Sequence, residues 1–164
     1  MTGAPDFHLR RALAADMSTI GRLGALLVRE HHDFDPLRFI PATPQTEQGY
    51  GAYLGSQLSE PRVLILVADR GGTVIGYTYA GLEDTDYMAL RGPAGALHDI
   101  VVDPDARGRG VGRALLDATL RELAAMGAPR VVLSTAAQNE AAQRLFAEAG
   151  FRRTMIEMTR ESGR

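Results

Sequence analysis

The stretch that decides the fold is Asp103–Leu116, DPDARGRGVGRALL. Upstream of it runs ALHDIVV, residues 96–102, an apolar β-branched segment that reads as a strand with Asp103 at its end. Downstream, Val111, Leu115, Leu116, Leu120 and Leu123 recur at helical spacing, so Gly110–Met126 reads as an amphipathic helix. Gly127 follows where a left-handed C-cap is needed. Pro104–Arg109 is the tight connection between strand and helix. Such a turn is an anion site. The first helical turn has N–H groups without intrahelical acceptors, and the helix dipole adds partial positive charge. Gly108, Gly110 and Gly112 let an anion approach the backbone, while Arg107, Arg109 and Arg113 supply charge. Two common phosphate motifs do not fit. A P-loop requires Lys and a hydroxyl after its last glycine, and here Arg113-Ala114 stands there. The dinucleotide fingerprint is G-x-G-x-x-G, whereas these glycines run G-x-G-x-G and the region about 20 residues on is still helix.

Outward from this loop the chain alternates hairpins and crossovers. Residues 7–12 are a strand candidate, and Asp16 reads as the N-cap of a helix over Met17–Glu30. His31–Tyr50 reads as a loop, with a short helix after Thr46. Residues 62–69 and 73–82 form a hairpin about Arg70-Gly71-Gly72. Residues 83–94 are a polar loop ending in Gly92-Pro93. Residues 130–135 are a strand, 139–149 a helix closed by Gly150, and Arg153–Thr159 a last strand. This order predicts a mixed sheet covered by helices in one domain over residues 1–164.

Composition limits the function classes. The chain has 164 residues, 45% of them hydrophobic, which suits one globular core. Eighteen basic against 20 acidic residues, net charge −2, give no reason to expect a nucleic-acid partner. With no cysteine, disulfides and thiolate nucleophiles are excluded. Met1–His8 lacks the pattern of a secretory leader, and no apolar run is long enough to cross a bilayer. A cytoplasmic protein without membrane association is expected.

Arg107-Gly108-Arg109-Gly110-Val111-Gly112 matches [QR]-x-x-G-x-[GA], the pyrophosphate loop of acetyltransferases. Asn139, Ala142, Leu145, Phe146, Gly150 and Phe151 fit N-x-x-A-x-x-[LF]-[YF]-x-x-x-G-F at the expected interval. With these two blocks, and with Arg10-Arg11-Ala12 and Asp16 near the start, the chain resembles the GNAT superfamily of N-acetyltransferases over nearly its whole length. The resemblance implies an α/β fold whose mixed, twisted sheet has six to seven strands and about four helices. Its bulged central strand would splay from the strand at Val132–Ser134. It implies acetyl-CoA as co-substrate, with pyrophosphate on the amides of Arg109–Gly112 and the pantetheine arm along Ile100, Val101 and Val102. Asn139 would bond that arm, or cap its helix, and Phe146 would adjoin it. No metal is implied. The acceptor would be a small amine, with a protein or peptide amine and a catalytically weak CoA sensor as alternatives; a homodimer is left open.

Acyl transfer to an amine needs a base for an ammonium of pKa about 10.4, a donor to the thioester carbonyl, and an acid for a thiolate of pKa about 8.5. The family's usual tyrosine acid falls on Phe146, and a glutamate base used by some members falls on Ser134; neither can serve. His98 and Asp99 on the central strand are the base candidates. Strict alternation would send them to opposite faces, so that one lines the cleft. Tyr87, in the preceding loop, is a substitute acid. Two acid-rich loops, His31–Asp35 and Glu83–Asp86, would favour a cationic acceptor. The His-His-Asp run has no second cluster to complete a metal site.

Overall fold

The computed structural model describes residues 5–163; Arg164 and Met1–Ala4, the latter part of the stretch read for a leader, lie outside them. Five strands form one sheet in the order β1-β2-β3-β4-β5: His8–Arg11, Val63–Arg70, Thr73–Glu83, Ala94–Val102 and Val131–Leu133. The first four are antiparallel neighbours, and β5 joins β4 in parallel. Four helices cover the sheet: α1 Met17–Phe34, α2 Thr46–Gln57, α3 Val111–Ala125 and α4 Glu140–Glu148. α1 and α2 enclose a core of Ile20, Leu23, Leu54, Val67, Tyr77 and Val101 on one face. α3 and α4 cover the other, over Leu64, Leu97, Leu115, Leu116, Leu123 and Phe146.

Three expectations change. α1 continues past Glu30 to Phe34, so His31 and His32 are helical, and both Nδ1 atoms bond backbone oxygens, of Leu27 and Phe39. Asp16 stands at the start of α1 without capping it. It accepts from Leu13 N–H and from two Arg10 nitrogens, at 2.7, 2.7 and 2.9 Å. Arg10 also reaches Asp69 on β2, tying β1 to the helical layer and the sheet. The strand expected at Arg153–Thr159 is absent, so among the described residues the sheet has five strands instead of six or seven. Its alternation is real, but Met155, Ile156 and Met158 are exposed and no neighbouring strand pairs with it. Instead Arg153 bonds Gln143 on α4, and Glu157 bonds Arg38 between α1 and α2.

Two features of this fold shape the site. β4 carries one extra residue against β3: Tyr79 pairs with Asp99 and Ala80 with Leu97, leaving His98 as a bulge. β5 pairs only with Gly95–Leu97, so Ile100–Val102 have no strand beside them on that edge.

Candidate active site

The anion loop is set by backbone conformation. Gly108 and Gly110 hold φ of +73° and +80°, where L side chains are strained. Gly110 is the residue immediately before α3. Ala114 N–H donates back to Gly110 O, but among the described residues no acceptor engages the N–H groups from Gly108 to Arg113. Six consecutive N–H groups are therefore without an acceptor at the N-terminus of α3, where an anion is favoured. Arg107 is not free to do so. Its Nε donates to Val102 O and its Nη2 to Glu30 on α1, fastening the loop to both neighbours. Arg113 pairs with Asp117 one turn along α3.

The free edge of β4 leads into this loop. Asp103 N–H donates to Ile75 O on β3, so by alternation Val101 also faces β3 with its backbone groups. Ile100 and Val102 face the empty side, and Arg107 already occupies Val102 O. The unpaired amides on this edge are thus those of Ile100 and Val102, while the Val101 side chain is core.

At the bulge, side chains 98 and 99 turn to the same face, against the expectation from strict alternation. The extra residue is the cause. Leu97 and Ile100 contact the α3 core, whereas Asp99 meets Tyr77 and the His98 ring lies 4.9 Å from that of Tyr79. Asp99 is 8% exposed, and one oxygen, Oδ2, accepts from both Tyr50 on α2 (2.6 Å) and Tyr77 on β3 (2.9 Å). Gly24 on α1 makes room for this: a Cβ there would sit 2.2 Å from the Tyr50 ring. No cation pairs with Asp99 among the described residues. Burial pushes its carboxyl above the ordinary carboxylate range, against the two hydroxyls that pull it down. Burial and the nearby carboxylate likewise raise Tyr50 and Tyr77, so both remain neutral donors. His98 is partly exposed, its Nε2 3.5 Å from Glu83. Tyr79 in turn meets Tyr53 of α2, hydroxyl to hydroxyl at 3.4 Å.

Other residues singled out in the sequence lie apart from this cluster. Tyr87 is 79% exposed at the tip of the β3–β4 loop, and its hydroxyl makes no hydrogen bond among the described residues. Phe146 is 6% exposed and packs edge-on to Phe151 at 5.9 Å, a core position. Val111 is buried, so its backbone alone is available. Asn139 Oδ1 accepts from Ala142 N–H at 3.1 Å and so caps α4, which leaves its amide N–H₂ for another partner. The acid-rich loops are largely occupied. Asp84 is held by Arg62 and Glu83 by Arg91, while Asp35 and Asp86 accept from amides of their own turns. Among the described residues, no three His, Asp or Glu are placed to hold a metal, and no helix is long and apolar enough to cross a membrane. Tyr50 and Tyr77 were not anticipated. Tyr77 shares its strand with Thr78 and Tyr79, and Tyr50 lies just past Thr46 in the short helix expected there, so neither stood out in the sequence.

Comparison with known proteins supplies the family. A mycothiol acetyltransferase of Propionibacterium freudenreichii is 34% identical over 146 residues, which is 89% of this chain and 45% of that protein. One from Thermobispora bispora is 36% identical over 96 residues, 56% of this chain and 31% of that protein. The chain thus spans less than half the length of the curated relatives it matches. Among solved structures, the tetramutant of the BH1408 protein from Bacillus halodurans superposes with a TM-score of 0.81 at 20% identity, covering 94% of this chain and 99% of that one. An aminoglycoside N-acetyltransferase in complex with CoA superposes with a TM-score of 0.73 at 18% identity, covering 99% of each chain. The family model described as "Acetyltransferase (GNAT) family" matches residues 26–151, from within α1 to just past α4, taking in the anion loop, the bulge and Asp99. This chain belongs to the acetyltransferase (GNAT) family.

Proposed function

We propose that the chain transfers the acetyl group of acetyl-CoA to a small primary amine, with Asp99 as the base. The observation that carries this reading is Asp99 itself: a buried carboxylate at the bulge of β4 whose partners are two neutral hydroxyls. A carboxylate in that state lacks a cation, and an acceptor ammonium would supply one. The loop that ends the same strand offers six unpartnered amides for the pyrophosphate of CoA, which brings the activated acetyl group as a thioester.

Each residue then has a task. The free N–H groups from Gly108 to Arg113, with Arg109 beside them, hold the phosphates, and Asn139 offers its amide to the arm. The Ile100 amide, on the unpaired edge of β4, donates to the thioester carbonyl as negative charge grows there. Asp99, held in place by Tyr50 and Tyr77, takes one proton from the ammonium. The amine nitrogen forms the amide bond while the C–S bond breaks. A second proton passes from nitrogen to the thiolate, and the products are N-acetyl amine, CoA thiol and one proton released to solvent. His98, at the exposed side of the bulge, lies where that proton can leave. Phe146 has no part in this chemistry, and Tyr87 would need to move to take one.

The likeness to mycothiol acetyltransferases supports an acceptor of small size. The test is thiol release from acetyl-CoA with and without a panel of primary amines. Amine-dependent release is expected; release that no amine stimulates would remove the proposal.

A further inference from the structure

Next to the core that holds Tyr50 and Tyr77 lies an apolar cavity, open to solvent on one side, that the chemistry above does not use. It has a volume of about 170 Å³ and is lined by Leu27, Val28, His31, Phe39 and Ile40. Its wall is almost wholly apolar. His31 spends Nδ1 on Leu27 O and presents its ring, which meets Phe34 and Phe39 edge-on at 5.8 and 5.1 Å. The Arg38 guanidinium lies over the Phe39 ring, 4.9 Å from its centre. Leu27, in the cavity wall, packs against the core cluster that includes Tyr50 and Tyr77, the two donors to Asp99. The cavity and the unpaired carboxylate are therefore neighbours, sharing α1 as a wall.

The size is informative. A closed apolar cavity of roughly 150 Å³ accommodates a benzene ring, so this pocket, open at the Ile40 rim, has room for a ring or a short alkyl chain. The charge pattern is informative too. Apart from the His31 ring, the cavity wall offers nothing to bond a carbohydrate hydroxyl, and a second ammonium would find no carboxylate there. Of the carboxylates nearby in sequence, Glu30 is held by Arg107 and Asp35 accepts from amides of its own turn, while Asp33 is exposed and does not line the cavity. Burying sugar hydroxyls or a second cation against such a wall is unfavourable.

We infer that the acceptor is a primary amine bearing a single apolar group, an aryl or short alkyl chain. The group fills the Leu27–Val28–His31–Phe39–Ile40 cavity, and the ammonium sits at Asp99. This rests on the reading of the chain as an amine acetyltransferase and narrows it, away from the amino-sugar and polyamine classes. Selectivity should follow apolar burial, at up to about fourfold in kcat/KM per methylene.

The experiment measures kcat/KM with saturating acetyl-CoA for ethylamine, hexylamine, phenethylamine, spermidine and glucosamine. Phenethylamine and hexylamine are expected to exceed each of the other three by at least about tenfold. Ile40→Asp, a change at an exposed rim position that should fold normally, is expected to draw the phenethylamine-to-ethylamine ratio down toward one. Val28→Phe, which fills the cavity from α1, should do the same. Turnover of spermidine or glucosamine equal to or better than phenethylamine overturns the inference while amine acetylation stands. An unchanged ratio in both folded variants overturns the placement of the apolar group. No turnover with any amine sinks this inference together with the reading beneath it.

Discussion

Asp99→Asn separates catalysis from stability, because the same carboxylate should help one and harm the other. The substitution keeps the shape, and the amide oxygen can still accept from Tyr50 and Tyr77. Two hydrogen bonds to a charged acceptor become two to a neutral one, a loss of about 2 kcal/mol in total. Against this, the variant no longer ionises a group that is 8% exposed, and the penalty for burying one ion is several kcal/mol. The carboxyl is raised overall, so burial outweighs the two hydroxyls in the wild type. The sign follows from linkage. A group whose folded pKa exceeds its unfolded value, here about 3.9, stabilises the fold below the unfolded value. That contribution is lost as pH rises through the folded value. At neutral pH the wild type therefore carries a destabilising charge that Asn lacks. Thermal melting should show Asp99→Asn equal to or above wild type at pH 7–8, with the gap closing toward about pH 4. Meanwhile kcat, read by thiol release, should fall by roughly 10²–10⁴. A variant that melts several degrees lower, or keeps kcat within about threefold, would refute the reasoning.

Other expectations concern the supports of the site. Tyr77→Phe removes a donor that favours the ionised carboxylate, so the acid limb of the kcat–pH profile should move to higher pH; a fixed limb would separate Asp99 from the rate. A Cβ at Gly110 meets no neighbouring atom, but Gly110→Glu must adopt φ of +80°, so the fold should survive at a cost of about 1–2 kcal/mol. Acetyl-CoA should then no longer raise its melting temperature, and a retained shift would place the phosphates elsewhere. Asp16→Asn should destabilise by about 2 kcal/mol through its bonds to Arg10, measured by urea unfolding. The Arg10 ion pairs depress both Asp16 and Asp69, so their stabilisation is present above the ordinary carboxylate value and lost as pH falls below it. A urea midpoint for Asp16→Asn that matches wild type at pH 7 would contradict the role of the pair.

Local signals made much of the site legible. Three glycines among three arginines, between a β-branched strand and an amphipathic helix, identify an anion loop because only such residues allow both the φ values and the approach. The hairpin about Gly71-Gly72 and the ends of α3 and α4 were readable for the same local reason. What escaped depends on partners far away in sequence. One extra residue in β4 turns His98 and Asp99 to one face, and nothing in LHDI marks it. Tyr50 meets Asp99 only because α2 packs closely on α1 at Gly24. The acid-rich loops looked like a cation-binding rim, but Arg62 and Arg91, from outside the run, answer Asp84 and Glu83. Arg153–Thr159 alternates as a strand should, yet a strand also needs a neighbour, and the segment is drawn off by Arg38 and Gln143.

The central claim is that this chain joins an acetyl group to an amine held at Asp99. Its most direct test is to incubate the chain with acetyl-CoA labelled in the acetyl group and phenethylamine, then follow the label. Label should appear in the N-acetyl amine at the rate at which CoA thiol is released, and Asp99→Asn should suppress both together. Label recovered as free acetate, or transferred equally well by the Asn variant, would contradict the account.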